Sequence, residues 1–211
     1  MSSLVISGDT SGSVTLQAPA VSGTTTLTLP SVSGTVITTG SSGQVIPKAA
    51  LPTGSVLQVS QATLAGTQAI SGTSTWTDVT SLSVTITPTA STSKFLISFS
   101  INVQGENNTY FRFVRNGTAI GIGNADGSKS RVSAGNGYTG GTSWNGAETF
   151  QLSAQYLDSP ATSSSITYKV QMYADSSGGT GSAYVNYSSH EVNNASSSRS
   201  MSTFTVMEIS A

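Results

Sequence analysis

The 211-residue chain has no cysteine, a single histidine, and 8 lysines and arginines against 9 aspartates and glutamates. Each shortage removes a class of chemistry. Without cysteine there is no disulfide framework, no thiol nucleophile and no cysteine metal site. One histidine excludes multi-histidine zinc centres and leaves His190 as the one candidate for a histidine-dependent triad. A formal net charge of −1 argues against nucleic acid, whose binding needs clustered Lys and Arg to displace counterions. No apolar run approaches the ~20 residues of a membrane-crossing helix. The densest run, Phe95 to Ile101, is interrupted by Ser98 and Ser100. The N-terminus lacks the basic and long apolar regions of a secretory signal, so the expectation is a soluble, cytoplasmically made protein with no membrane insertion.

Serine (40) and threonine (30) fill a third of the chain instead. Thr, Val and Ile recur in short alternating runs punctuated by Gly, Ser, Asn and Asp, and no segment sustains a 3.6-residue apolar period. This predicts an all-β protein.

The front of the chain repeats. Ser11-Gly12, Ser22-Gly23 and Ser33-Gly34 are 11 residues apart, each followed by a short Val/Leu/Thr run, with Pro19 and Pro30 at matching places. Each unit is a short strand plus a turn, and its two or three apolar side chains cannot offset ~1–2 kcal/mol of backbone entropy per ordered residue. Residues 1–46 are therefore either a flexible leader or a segment that folds by wrapping with copies of itself. Residues 47–54, with Pro47 and Pro52, read as a stiff linker.

From 55 to 211 the alternation predicts strands near 55–64, 67–71, 75–87, 94–104, 109–115, 118–123, 147–157, 164–174, 182–188 and 200–210. The clearest stripe is Phe95, Ile97, Phe99, Ile101 and Val103. One dry and one wet face per strand suits an antiparallel two-sheet sandwich or jelly roll. Asn116-Gly117 signals a type I′ hairpin. Trp76 reads as core. Tyr110, Arg112 and Val114, on the second face of their strand, and Leu96, on the polar side of its own, read as either subunit interface or half-exposed strand.

Little points to catalysis. The nine acids are scattered, with no pair on one strand of the kind sugar hydrolysis uses, and the chain is expected not to be an enzyme. His190 sits in a polar stretch read as a loop. Asn124 to Ser128 has one carboxylate, too few for calcium, and reads as a turn. No cofactor or metal is expected. The Asn-x-Ser/Thr triplets at Asn107, Asn116, Asn186 and Asn194 are no more than a Ser/Thr-rich chain produces by chance. The Gly-rich stretch 135–146 places Tyr138 and Trp144 among Asn136 and Asn145. Aromatic faces cover the C–H patches of sugars and amides bond hydroxyls, so these four residues form a candidate glycan site. The alternative is that Trp144 plugs the end of the sandwich. A second polar stretch, 188–200, adds Asn193 and Asn194.

The opening LVISGDTSGSVTLQAPAVSGTTTLTLP resembles the N-terminal segments of fibre proteins of marine and freshwater tailed bacteriophages. In the body, TWTDVTSLSVTITPTASTSKFLISFSINV, FRFVRNGTAI, YLDSPATSSSITYKVQ and STFTVMEI resemble the distal knob of such fibres, a trimeric jelly roll of the tumour-necrosis-factor/C1q type. The resemblance implies a homotrimer whose residues 1–46 join other virion proteins of the tail, baseplate or capsid. Residues 55–211 would form an outward knob that binds a host surface glycan. The rival implication is a purely structural head fibre or capsid decoration with no receptor role.

Overall fold

The computed structural model describes residues 3–7, 10–17, 51–71, 74–105, 108–136, 149–175, 182–187, 193, 195 and 197–211. Among them there is no helix. The chain divides into two compact units, 1–45 and 46–211.

In the first unit β1 (Ser3–Ser7) and β2 (Ser13–Gln17) pair antiparallel, with Leu4 opposite Leu16 and Ile6 opposite Val14. Gly12 turns the chain at φ +79°, as the Ser-Gly turn of the repeat requires. Leu4, Val5 and Ile6 are each more than half exposed. These three side chains stay uncovered, and an isolated two-stranded hairpin is marginal in water. The second and third repeats lie outside the described residues.

The second unit is an antiparallel β-sandwich. The first sheet contains β3 (Val56–Leu64), β4 (Gln68–Ser71), β6 (Lys94–Gly105), β10 (Phe150–Asp158), β12 (Ser182–Val185) and β13 (Ser202–Ile209). Strand β6 is its spine. One edge pairs with β10 over Phe95–Val103; the other pairs with β13 over Lys94–Ser100 and then with β12 over Val103–Gly105. Strands β3 and β4 continue outward from β13 and β12. The second sheet runs β5 (Thr77–Ile86), β11 (Ile166–Ala174), β7 (Thr109–Arg115), with β8 (Thr118–Ile120) and β9 (Ala134–Asn136) sharing the far edge of β7. Successive long strands alternate between the sheets: β5 second, β6 first, β7 second, β10 first, β11 second, β13 first.

The inward faces follow the period of two. Phe95, Ile97, Phe99, Ile101 and Val103 meet Phe204 and Val206 within their own sheet, and Val84, Ile86, Phe111, Phe113, Ile166, Val170 and Met172 across the sandwich. Phe99 packs its ring 4.9 Å from Phe113 and 6.1 Å from Phe111, joining the two layers. In β5 the alternation breaks between Val79 and Leu82, yet both are buried. An irregularity there, with Ser81 at φ +66°, shifts the register so that both point inward. The Asn116-Gly117 turn has φ +47° and +87°, the type I′ geometry its sequence predicts. Strand β9 is an addition to the predicted set.

Two polar side chains complete the ladders where a sheet edge changes partner. Between β12 and β13, fully buried Asn186 donates its Nδ2 to Leu64 O (2.7 Å) and Gly66 O (2.8 Å), while its Oδ1 accepts from Ser202 Oγ (2.7 Å). Ser202 Oγ in turn accepts from Asn102 N. The carboxamide thus acts as a missing peptide rung. Between β8 and β9, Ser133 Oγ accepts from Phe113 N and donates to Gly121 O.

Two buried carboxylates tie the layers together. Asp158, at the end of β10, accepts Arg115 Nη1 on both oxygens (2.7 and 2.8 Å) and Tyr168 OH on one (2.7 Å), linking the first sheet to β7 and β11 of the second. Burial and the hydrogen bond to Asp158 push the Tyr168 hydroxyl far above its ordinary pKa. Glu208 occupies an inward position of β13 and is fully buried. Burial pushes its pKa up, but bonds from Ser93, Thr89 N, Thr89 Oγ1 and Gln58 outweigh that and hold it below the usual glutamate value. Those bonds pin the turn before β6 to β3 and β13.

Candidate functional site

Tyr138, Trp144, Asn145, Asn194 and His190 lie outside the described residues. Asn193 is exposed. Asn136 is the last residue of β9 and pairs with Thr109, so the Gly-rich stretch departs from the edge of the second sheet.

The residue that sequence reasoning misplaced is Trp76. It is not in the core. Thr77 pairs with inward-facing Met172, so Trp76, one residue earlier, comes level with Tyr173 on the outward face. Tyr173 is directly opposite Tyr110, and Tyr110 is opposite Gly135. The result is a row of half-buried rings across the sheet. Trp76 and Tyr173 have centroids 5.3 Å apart; Tyr173 and Tyr110 are near-parallel at 5.9 Å. Gly135 seats the end of the row, since a Cβ there would lie 2.5 Å from Tyr110 Cδ1. Burial, with the Asp175 carboxylate and Tyr173 beside it, pushes the Tyr110 hydroxyl pKa up. The signal was present in the sequence: a Trp two residues before Asp78 shares its outward face.

A polar row runs beside the rings. Arg112 lies with its guanidinium carbon 4.1 Å from the Trp76 ring centroid and donates Nε and Nη2 to Gln171 Oε1 (3.0 and 2.7 Å). Gln171 Nε2 donates to Asp78 Oδ1 and Lys169 Nζ to Asp78 Oδ2, both at 2.8 Å. The bonds from Lys169 and Gln171 hold the Asp78 carboxyl below the usual aspartate value. On the far side of the rings, Asn108 Nδ2 donates to Asp175 Oδ2 (3.0 Å). The second face of β7 is therefore occupied within the chain: Tyr110 by Tyr173, Arg112 by Trp76 and Gln171, and Val114 by burial.

The row has a definite place. The chain enters the sandwich at Ser55, whose backbone pairs with Ser210 near the C-terminus, and Thr87 to Thr89 bond to Gln58 and Glu208 at the same end. Trp76 is at the opposite end of β5. A shallow hollow of about 240 Å³ lies at the entry end, lined by Leu57, Thr89, Ala90, Thr92, Ser93, Ser210 and Ala211. The carboxylate nearest it by sequence and bonding, Glu208, is held by four donors. Among the described residues no three of His, Cys, Asp and Glu gather in a metal-binding group.

The outward face of the first sheet is different. Its register sets Val59, Met207, Leu96 and Leu157 in one line across β3, β13, β6 and β10, next to Val56, Ile209 and Lys94. Val56, Val59 and Leu157 are at least half exposed. Beyond this line the same face turns polar, with Gln61 bonding Thr205 and Gln151 bonding Ser100.

No protein-family model matches the chain, and no curated protein matches it. Among solved structures it is similar to a chain from the structure of infectious bursal disease virus Gx strain, at 16% identity and a TM-score of 0.33. The match covers 81% of this chain and 42% of that one, so this chain spans less than half of its length.

Proposed function

We propose that the chain is a homotrimeric fibre protein of a tailed-bacteriophage virion, carried on the tail by residues 1–46, whose jelly-roll knob binds a glycan of the host surface. The observation that carries the reading is the apolar line Val59–Met207–Leu96–Leu157 with Val56 and Ile209 beside it. In a chain with so little apolar residue to spend, a contiguous apolar strip with Val56, Val59 and Leu157 at least half exposed marks an interaction surface. It crosses four of the sheet's six strands, so copies packed about a common axis would each cover the others' strip. The exposed residues of the β1–β2 hairpin ask for the same cooperation among copies. Strand alternation between two antiparallel sheets supports the jelly roll. Three identical weak sites on one rigid body gain avidity, so shallow polar contacts suffice for adhesion.

In this reading Asn136, Tyr138, Trp144, Asn145, Asn193 and Asn194 contact the glycan. The test is binding of the full chain to an array of bacterial surface glycans, with Tyr138→Ala and Trp144→Ala alongside. Retention by the wild type and loss in the variants supports the assignment. Equal binding by all three removes these residues from the site, and no binding by the wild type removes the receptor role.

A further inference from the structure

The two lateral edges of the first sheet are finished differently. On the β3–β4 side, amide side chains join the edge to the neighbouring layer. Gln58 Nε2 donates to Thr87 O (2.9 Å), and Gln68 donates to Asp78 O (3.0 Å) while accepting from Thr80 N (2.6 Å). On the opposite side, among the described residues, β10 pairs with β6 alone. Its register runs unbroken over Phe150–Asp158, and the strand holds no lysine and no proline. Bulges, lysines and prolines are the devices that keep an edge strand from meeting another chain, and β10 has none of them. Near its end Tyr156 and Leu157 turn to opposite faces, and both are exposed. Tyr156 lies over Gly121, where a Cβ would come 2.8 Å from its Cγ.

The exposed apolar surface falls into two groups. Among the described residues of the sandwich, the large apolar side chains left exposed are Val56, Val59, Tyr156, Leu157 and Met201. The first two lie on β3 and the next two on β10, at the two ends of the line Val59–Met207–Leu96–Leu157. Met207 and Leu96, between them, are half-buried. The ends are three strand spacings apart, about 14 Å. Two further copies of the chain, one at each end, cover both groups. Four strands at about 4.8 Å make a face about 19 Å wide. Three such faces closed into a triangle stand about 5–6 Å from the common axis, half the separation of packed sheets, so Leu96 and Met207 reach their copies there. At each corner the β10 end of one copy meets the β3 end of the next. A contact between unlike patches of this kind closes into a ring. Charge suits a copy of the same face: Lys94, at the end of β6, is the one charged side chain these four strands turn outward, since Asp158 and Glu208 are buried.

We infer that each corner of the trimer is made by Val56 and Val59 of one copy against Tyr156 and Leu157 of the next. The inference rests on the proposed homotrimer and assigns its contact to two unlike patches of every chain.

The absence of cysteine opens a direct test. Positions 59 and 157 of one chain are about 14 Å apart across the sheet. A disulfide spans no more than about 7 Å between Cα atoms, so a 59–157 bond has to join two copies. Both residues are exposed, so cysteine at either leaves the core as it is. The full-length double variant Val59→Cys/Leu157→Cys, oxidised at micromolar concentration, is expected to run on a non-reducing gel mainly at three times the 21.4 kDa chain mass. Each single variant is expected to stay at the chain mass. Single variants that instead link 59 to 59 or 157 to 157 overturn the corner, because like ends then meet. A double variant that sediments as a trimer yet forms no 59–157 bond overturns the corner and leaves the trimer standing. Wild type and double variant that both sediment as single chains overturn the trimer and the corner together.

Discussion

Replacing Asn186 with alanine tests the claim that one carboxamide bridges the interrupted edge of the first sheet. The side chain makes four bonds: two donated to Leu64 O and Gly66 O, and two accepted, from Ser202 Oγ at 2.7 Å and from Ser200 Oγ at 3.5 Å. Gly66 is exposed, so water replaces its partner at small cost. Leu64 and Ser202 are buried, so a carbonyl and a hydroxyl lose partners where water does not reach, at about 1–3 kcal/mol each. Asn186 also sits at φ +61°, where alanine carries a further ~1 kcal/mol of strain. The expected loss is about 3–7 kcal/mol. For a unit of this size that lowers Tm by roughly 6–28 °C, at about 2–4 °C per kcal/mol. Asn186→Gly removes the strain but not the lost bonds and should recover only about 1 kcal/mol. Guanidinium unfolding followed by aromatic emission, at one fixed chain concentration, measures both. An Asn186→Ala variant within about 1 kcal/mol of wild type refutes the rung.

Glu208 gives a pH dependence of defined sign. Its folded pKa is held below the ordinary 4.5, so its stabilising contribution is complete above that value and lost as pH falls through the folded one. Wild type should lose urea stability below pH 4.5 more steeply than Glu208→Gln; equal slopes would show that the carboxylate is not held in this way. Arg115→Ala leaves the nearly buried Asp158 with Tyr168 alone and should cost about 2–4 kcal/mol in thermal melts, whereas Tyr168→Phe should cost about 1 kcal/mol. An Arg115→Ala protein as stable as wild type would mean the clamp between the sheets contributes nothing.

Most long strands were legible because a period of two is local information: Phe95 to Val103 announce one dry face without reference to any other strand. The ends were less so. Strand β8 stops at Ile120 rather than 123, and β12 at Val185 rather than 188, because pairing ends where the partner edge changes owner, which no single segment records. Strand β9, Ala-Gly-Asn, is too short and small to alternate. Trp76 was assigned by residue type, whereas its side of the sheet follows from a register with β11, about a hundred residues on in sequence. Asn186 and Glu208 are buried because of partners equally remote, Leu64 and Thr89. Glu208 does carry a local sign, lying in step with Phe204 and Val206. The apolar line on the first sheet showed only as Leu96, since Val59, Met207 and Leu157 join it through pairing alone.

That line makes association among copies the centre of the account, and solution mass addresses it directly. Sedimentation equilibrium of the full chain at micromolar concentration should give three times the 21.4 kDa chain mass. A species of single-chain mass at every concentration, with the sandwich folded, would contradict it.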